Sequence, residues 1–245
     1  MKNTLFILLI IPICSIFCQT INVSYNLQID ISGVQTKPFN HKYILSNSNG
    51  KSVQKKYLVN TSYENRIDKN KELTKVIKIG NDTTFIYKDF VKNKLFSEEK
   101  IFTRIFNVED DLNLFSWKIE EDTLTILNYK CQKAMTKFRG REFVAYFTTE
   151  IPVTDGPWKF NGLPGLILKI DLIDPIAVFS IQATEIKIMN SNVSLENPIN
   201  SKKALSFNEY KKEYNLKYNE IQTFTAEQNN GLQIKKGGLE ILFDE

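Results

Sequence analysis

The chain has 245 residues, 32 Lys and Arg against 28 Asp and Glu, and a formal net charge of +4. That length suits one large all-β domain or two small ones. The near-neutral balance argues against nucleic acid as the main partner, which goes with a basic stripe, and no segment beyond the N-terminus is long and apolar enough to span a membrane.

Met1-Lys2-Asn3 is a short positive start, and Leu5 to Ile13 is an apolar run broken only by Pro12. Cys14 to Gln19 then supplies a polar break. This pattern predicts a secretory signal peptide over residues 1–18 and a mature chain from Gln19. A lipid-anchored cysteine would need a small residue before Cys14 or Cys18, and Ile13 and Phe17 stand there. The expected address is export, to the periplasm or outer envelope. Cys131 is then the only cysteine left in an oxidising compartment, so a disulfide framework is not expected.

Residues 19–245 read as a single mainly β domain. Val23, Tyr25, Leu27, Ile29 and Ile31 alternate with polar residues, which predicts a half-buried strand. His41 to Leu45 forms the next run, closed by Ser46-Asn47-Ser48-Asn49-Gly50. Residues 51–72 are polar and read as a solvated segment or surface helix. Val76 to Ile79 and Thr83 to Lys88 flank Gly80-Asn81-Asp82 as a hairpin. Lys94 to Phe106 predicts a strand bent near Ser97-Glu98-Glu99, and Val108 to Asn113 an acidic loop.

Rare residues crowd into 117–170, which holds both tryptophans, Trp117 and Trp158, together with Cys131. Trp117-Lys118-Ile119 starts a strand that Glu120-Glu121-Asp122-Thr123 is expected to turn. Tyr129 to Met135 continues it, and Phe138-Arg139-Gly140-Arg141 is a tight turn, where Gly140 is free to take positive φ. On the return, Phe143, Ala145 and Phe147 face one way and Val144 and Tyr146 the other, which predicts a central strand covered on both sides. Asp155-Gly156-Pro157-Trp158 and Gly162-Leu163-Pro164-Gly165 are turns. Leu166 to Leu172 is an apolar strand, and Ile176 to Ile188 returns. A polar stretch near 190–205 leads into Ser206-x-x-Glu209, a capping box. Phe207, Tyr210, Tyr214, Tyr218 and Ile221 then recur at helical spacing, predicting an amphipathic helix near 207–222 that docks on the sheet. Leu239 to Phe243 is a candidate edge strand.

The motif series Tyr129-x-Cys131-x-Lys133-Ala134, Phe138-Arg139-Gly140-Arg141, Tyr146-x-Thr148-x-Glu150-Ile151-Pro152, Gly156-Pro157-Trp158-Lys159-Phe160 and Gly162-Leu163-Pro164-Gly165-Leu166-Ile167 resembles the GLPGLI family of exported Bacteroidota proteins. The family's function is uncharacterised, so the resemblance implies an address and not an activity.

The expected fold is an antiparallel curved sheet or open half-barrel, with a β-sandwich as the alternative and one C-terminal helix. No phosphate-binding loop, dinucleotide glycine run or zinc-protease motif is present. No cofactor and no metal site is expected, since His41 is the only histidine. Candidate ligand-binding residues are Arg139, Arg141, Asp155 and Trp158. Two guanidiniums flanking a glycine could fork a carboxylate or phosphate, or else pair with Glu150 and Asp155 and pin the hairpin. Cys131 beside Lys133 is a candidate thiol nucleophile, or a buried small hydrophobe. These residues suit an exported envelope protein that binds a hydrophobic small molecule or an envelope protein. The alternatives are an envelope hydrolase using Cys131 or a carboxylate pair, and a structural module docked on an outer-membrane barrel through the helix stripe.

Overall fold

The computed structural model describes residues 19–31, 39–58, 83–101, 104–173, 177–227, 240 and 242. The expected signal segment 1–18, residues 76–82 of the expected hairpin and most of the candidate edge strand 239–243 lie outside them.

Alternating apolar residues make the N-terminal strands one-faced. In β1 (Thr20–Ile31) the side chains of Ile21, Val23, Tyr25 and Leu27 are buried, and in β2 (Phe39–Ser48) those of Tyr43 and Leu45. Asn49-Gly50 joins β2 to β3 (Lys51–Leu58) with positive φ at both residues, 53° and 69°. That is the tight hairpin turn whose twist matches the strands. Next come β4 (Thr84–Asp89), β5 (Lys94–Ile101) and β6 (Arg104–Asp111). The central hairpins are β7 (Lys118–Ile126), β8 (Tyr129–Phe138) and β9 (Arg141–Thr148). After a long loop, β10 (Leu166–Ile173) and β11 (Ala177–Met189) return, and β12 (Leu205–Ser206) leads into α1 (Phe207–Glu227).

The twelve strands among the described residues belong to one open sheet, in the order β12-β6-β5-β4-β3-β2-β1-β11-β10-β9-β8-β7. The expected mainly β fold with one C-terminal helix is therefore found, as an open sheet and not as a sandwich. Pairing is antiparallel except where β12 lies parallel to β6. The inner face is covered by residues 112–117 and 151–163: Leu112, Ile151, Trp158, Phe160 and Leu163 share one core with the strand residues.

Five local expectations are corrected. Residues 51–58 form β3, with Ser52 and Gln54 buried; their inward side chains are polar because they meet the loop above them. Ser97 to Glu99 continue β5 without a bend, and β6 extends to Asp111. Glu120 to Asp122 do not turn β7. They bulge out between the Ile119–Ala134 and Thr123–Gln132 pairs, and the turn comes later, at Leu127-Asn128. A bulge absorbs extra residues without ending a strand, and Lys133 neutralises this one by pairing with Glu120 and Asp122. Finally, β9 is covered on one side only: Phe143, Ala145 and Phe147 are buried, while Val144 and Tyr146 are partly exposed.

The capping box closes reciprocally. Ser206 N–H donates to Glu209 Oε2 at 2.8 Å, and Glu209 N–H to Ser206 Oγ at 3.3 Å. The α1 stripe then packs Tyr210 with Ile101, Phe106, Val108 and Leu242, flanked by Phe207 and Tyr214. The aromatic face is thus occupied by the chain's own sheet.

Candidate functional site

The loop between β9 and β10 sets the site, and its glycines set the loop. A Cβ on Gly165 would lie 2.1 Å from the Thr148 carbonyl oxygen, so the chain can cross itself there only without a side chain. Leu166 N–H donates to Ile151 O at 3.0 Å and Ile167 N–H to Asp155 O at 2.9 Å, which fastens both limbs of the corner. Leu163, Leu166, Ile167 and Leu168 are all at most 1% exposed. The hexapeptide is a corner of the fold anchored by its buried Leu163, Leu166 and Ile167, with Gly162 and Pro164 exposed.

The corner presses Asp155 to Asn161 onto the inner face, where polar strand residues receive it. Lys88 of β4, fully buried, donates to Asp155 Oδ1 at 2.8 Å, Gly156 O at 2.9 Å and Phe160 O at 2.8 Å. All three ammonium donors are used. Burial lowers the Lys88 pKa, opposed by Asp155. Asp155 also accepts from Asn47 Nδ2 at 2.9 Å and from Gly156 N–H at 2.8 Å. Gln54 grips the next peptide from both sides: Trp158 N–H donates to its Oε1 at 2.7 Å, and its Nε2 donates to Trp158 O and Gly156 O at 2.9 Å. Trp158 needs that grip, because its φ of 53° is unfavourable for a bulky residue.

A second ionic group lies beside the first. Lys159, also fully buried, pairs with Glu99 at 2.9 Å and with Glu240 at 2.8 Å. Burial works against its charge, but Glu240 and Glu99 outweigh it and raise its pKa. Arg139 bonds Glu240 and Asp110 and stacks on Phe207, 3.2 Å from the ring centroid, and on Phe138 at 4.8 Å. Between the groups stands an aromatic cluster. Phe115 lies 4.5 Å from Phe138 and 5.1 Å from Phe160, and Phe160 lies 4.9 Å from Phe143 and 5.1 Å from Trp158.

Of the four sequence candidates, Asp155 and Trp158 are buried, and Arg139 and Arg141 are partly exposed. Asp155 and Trp158 lie in the loop contacts just described, and Arg139 faces the C-terminal segment. Arg141, at the start of β9, pairs in register with Phe138 across the turn. The ion pairs expected with Glu150 and Asp155 are replaced. Arg139 takes Asp110 and Glu240, Asp155 takes Lys88, and Glu150 accepts the Lys130 N–H at 3.0 Å. Lys88, Asn47, Gln54, Lys159 and Glu240 were missed. The one legible sign of the first three was polar residues at inward positions of β2, β3 and β4; Lys159, in the loop, and Glu240, near the C-terminus, carried none.

Of the two readings of Cys131, the structure has the buried small hydrophobe and not the reactive thiol. Cys131 is buried, and burial pushes its pKa up to about 11. Lys133 is engaged by carboxylates and does not lower it. His41 lies on β2, five strand steps from β8 in the sheet order, out of reach as its base. Among the described residues no group of three or more His, Cys, Asp or Glu could hold a metal, and no helix is long and apolar enough to cross a membrane.

A family model described as a protein of unknown function, Porph_ging, matches residues 138–169, from the β8–β9 turn through the corner into β10. It supports a Bacteroidota-type family. No curated protein sequence matches the chain. Among solved structures the chain is similar to PNGF-II in two crystal forms. The first match has 20% identity, a TM-score of 0.44, and covers 73% of this chain and 28% of that one. The second has 19% identity, the same TM-score, and covers 74% and 30%. The chain thus spans less than a third of PNGF-II. A LolA superfamily protein from Nitrosomonas europaea is matched with 7% identity and a TM-score of 0.30, over 69% of this chain and 85% of that one.

Proposed function

We propose that this chain is an exported cell-envelope protein of the GLPGLI type that turns over no external substrate and acts by binding an envelope partner. The export reading rests on the leader pattern of residues 1–18. One observation carries the choice of a protein partner over a hydrophobic small molecule. The inner face, where such a ligand would lie, is filled by the chain's own side chains: Phe143 and Phe160 are 0% exposed, with Phe115, Trp117 and Trp158 packed around them. Arg139, Arg141, Asp155 and Trp158 accordingly serve the fold first.

A surface remains at the β7 edge. The opposite edge is the two-residue β12 with α1 behind it, but β7 ends the sheet and exposes Ile119, Leu124 and Leu127 at 39–45%. An edge strand offers a row of backbone donors and acceptors that an extended partner segment completes. The Glu120–Asp122 bulge interrupts that row, so pairing is confined to Thr123–Ile126.

A photo-crosslinking residue at Leu124, compared with one at Gln182 on the exposed face, tests the reading in the native host. An envelope protein trapped from Leu124 and not from Gln182 is the expected result. A stoichiometric lipid retained in native mass spectrometry, or no trapped partner from either position, overturns it.

A further inference from the structure

Asn47 of β2, Ser52 of β3 and Lys88 of β4 stand in one register line, Asn47 opposite Ser52 and Ser52 opposite Lys88. All three are buried, at 7%, 0% and 0% exposure, so they share the inner face. Two strand spacings separate the Asn47 and Lys88 backbones by about 10 Å. A lysine stem and an asparagine arm reaching towards each other span that gap, and Ser52 is too short to block them. Asp155 descends from the loop and holds both ends: its Oδ1 accepts from Lys88 Nζ at 2.8 Å and its Oδ2 from Asn47 Nδ2 at 2.9 Å. An amine, a primary amide and a bridging carboxylate are thus enclosed in an interior shared with Tyr25 and Phe160, both 0% exposed.

We propose that Lys88 and Asn47 form an intramolecular isopeptide bond, with Asp155 as the catalytic residue. The Lys88 ammonium first passes a proton to Asp155. The neutral amine keeps two N–H groups, for which Gly156 O and Phe160 O are the acceptors, so its lone pair turns towards the carboxylate and the amide it holds. Nζ attacks Cγ of Asn47, and Asp155 returns the proton to Nδ2. A second proton leaves the attacking nitrogen through the same carboxylate. The Nζ–Cγ bond forms, the Cγ–Nδ2 bond breaks, and Nδ2 departs as ammonia. An amine and a primary amide become a secondary amide and ammonia, with no oxidant, reductant or cofactor.

Asn47 is the acyl partner rather than Asp155 for a physical reason. Asp155 Oδ1 accepts from Lys88 and its Oδ2 from Asn47, so it stands between the two as the proton carrier, while the Asn47 amide offers a carbonyl carbon with ammonia as its leaving group. Burial lowers the Lys88 pKa and so favours the neutral nucleophile. The Ser52 hydroxyl, buried without a hydrogen-bond partner, lies in the register line beneath the new amide and is available to it. The product staples β2 to β4 across β3, below the loop that Lys88 anchors. It would do for an exported chain without a disulfide what a disulfide does elsewhere.

Tandem mass spectrometry of a digest of the denatured, purified full chain tests this. The expected product is a branched peptide joining Lys88 to Asn47, lighter than its two parents by one ammonia. Cyclisation of an N-terminal Gln19 loses the same mass, so the branched peptide decides and intact mass does not. Linear peptides with free Lys88 and intact Asn47 overturn the proposal, and a Lys88–Asp155 branch lighter by one water overturns the role of Asn47. The wild-type protein alone is sufficient for this test. Asp155→Ala, where it folds, is expected to yield only linear peptides.

Discussion

Gly165→Ala isolates the corner in its simplest form. Gly165 lies outside the left-handed region, so alanine could adopt its backbone conformation. The added Cβ would stand 2.1 Å from Thr148 O, 2.6 Å from Thr148 C and 3.0 Å from Thr149 N. These are backbone atoms of β9 and its exit, and they cannot rotate away as a side chain could. Overpacking a rigid site costs about 1–3 kcal/mol and occasionally more, and a backbone clash this deep belongs at the upper end, about 3 kcal/mol. At about 2–4 °C per kcal/mol for a chain this size, the midpoint falls by roughly 6–12 °C. Gly162→Ala is the control. Its φ is +91°, but the nearest atom to a new Cβ is Trp117 Nε1 at 3.8 Å, so only backbone strain is added. That strain costs about 1–2 kcal/mol. Urea unfolding followed by tryptophan fluorescence reads both variants, since Trp117 and Trp158 flank the corner. A Gly165→Ala protein no less stable than Gly162→Ala would refute the steric account of the hexapeptide.

Lys88→Met removes the cation but leaves Asp155 buried, and orphaning a buried charge costs about 3–5 kcal/mol; a urea midpoint within error of wild type would show that the loop is held otherwise. Gln54→Ala strips hydrogen bonds from the Trp158 peptide and Gly156 O, each worth about 1 kcal/mol net, so calorimetry should show a loss of roughly 2–3 kcal/mol. Burial, and then Lys56, lower the His41 pKa to about 4, below an unfolded value of about 6.5. Its contribution is therefore full above about pH 6.5 and is lost as pH falls towards about 4. His41→Gln should flatten that part of the stability–pH curve, and identical curves would exclude His41 as the cause. Cys131, buried with its pKa pushed up to about 11, should resist maleimide labelling until denaturant is added; rapid labelling of the native protein would restore the thiol as a candidate nucleophile.

Period-two alternation made the β architecture legible wherever apolar residues occupied successive inward positions, as in β1, β9 and β11 and in β2 as far as Leu45. It failed at β3, whose inward Ser52 and Gln54 are polar. Their burial is offset by partners about 100 residues away in the case of Gln54, with Gly156 and Trp158, and no local pattern encodes a partner at that distance. The β7 bulge misled for a related reason. Glu120 to Asp122 have turn-like composition, and only the pairing with Lys133 makes it possible to keep them in a strand. The Asn-Gly turn at 49–50 and the capping box at 206–209 were readable because both motifs satisfy their own hydrogen bonds within four residues.

The candidate site shows the same divide between local and distant causes. Asp155 and Trp158 stood out because they flank a Gly-Pro turn, yet neither explains the loop alone. Asp155 without Lys88 would be an unpaired buried anion, and Trp158 without Gln54 would hold a strained φ unsupported. The loop is stable because polar residues of three consecutive strands, Asn47, Gln54 and Lys88, converge beneath it. Fully satisfied polar networks in a core fix one arrangement, because any slip leaves a buried group unpaired. Here the sheet register is the arrangement fixed. A slip by one residue would turn Asn47, Gln54 and Lys88 to the outer face and leave Asp155 alone in the interior. The corner, the clamp and the register therefore form one mutually dependent unit, which is why rare residues concentrate at 151–167.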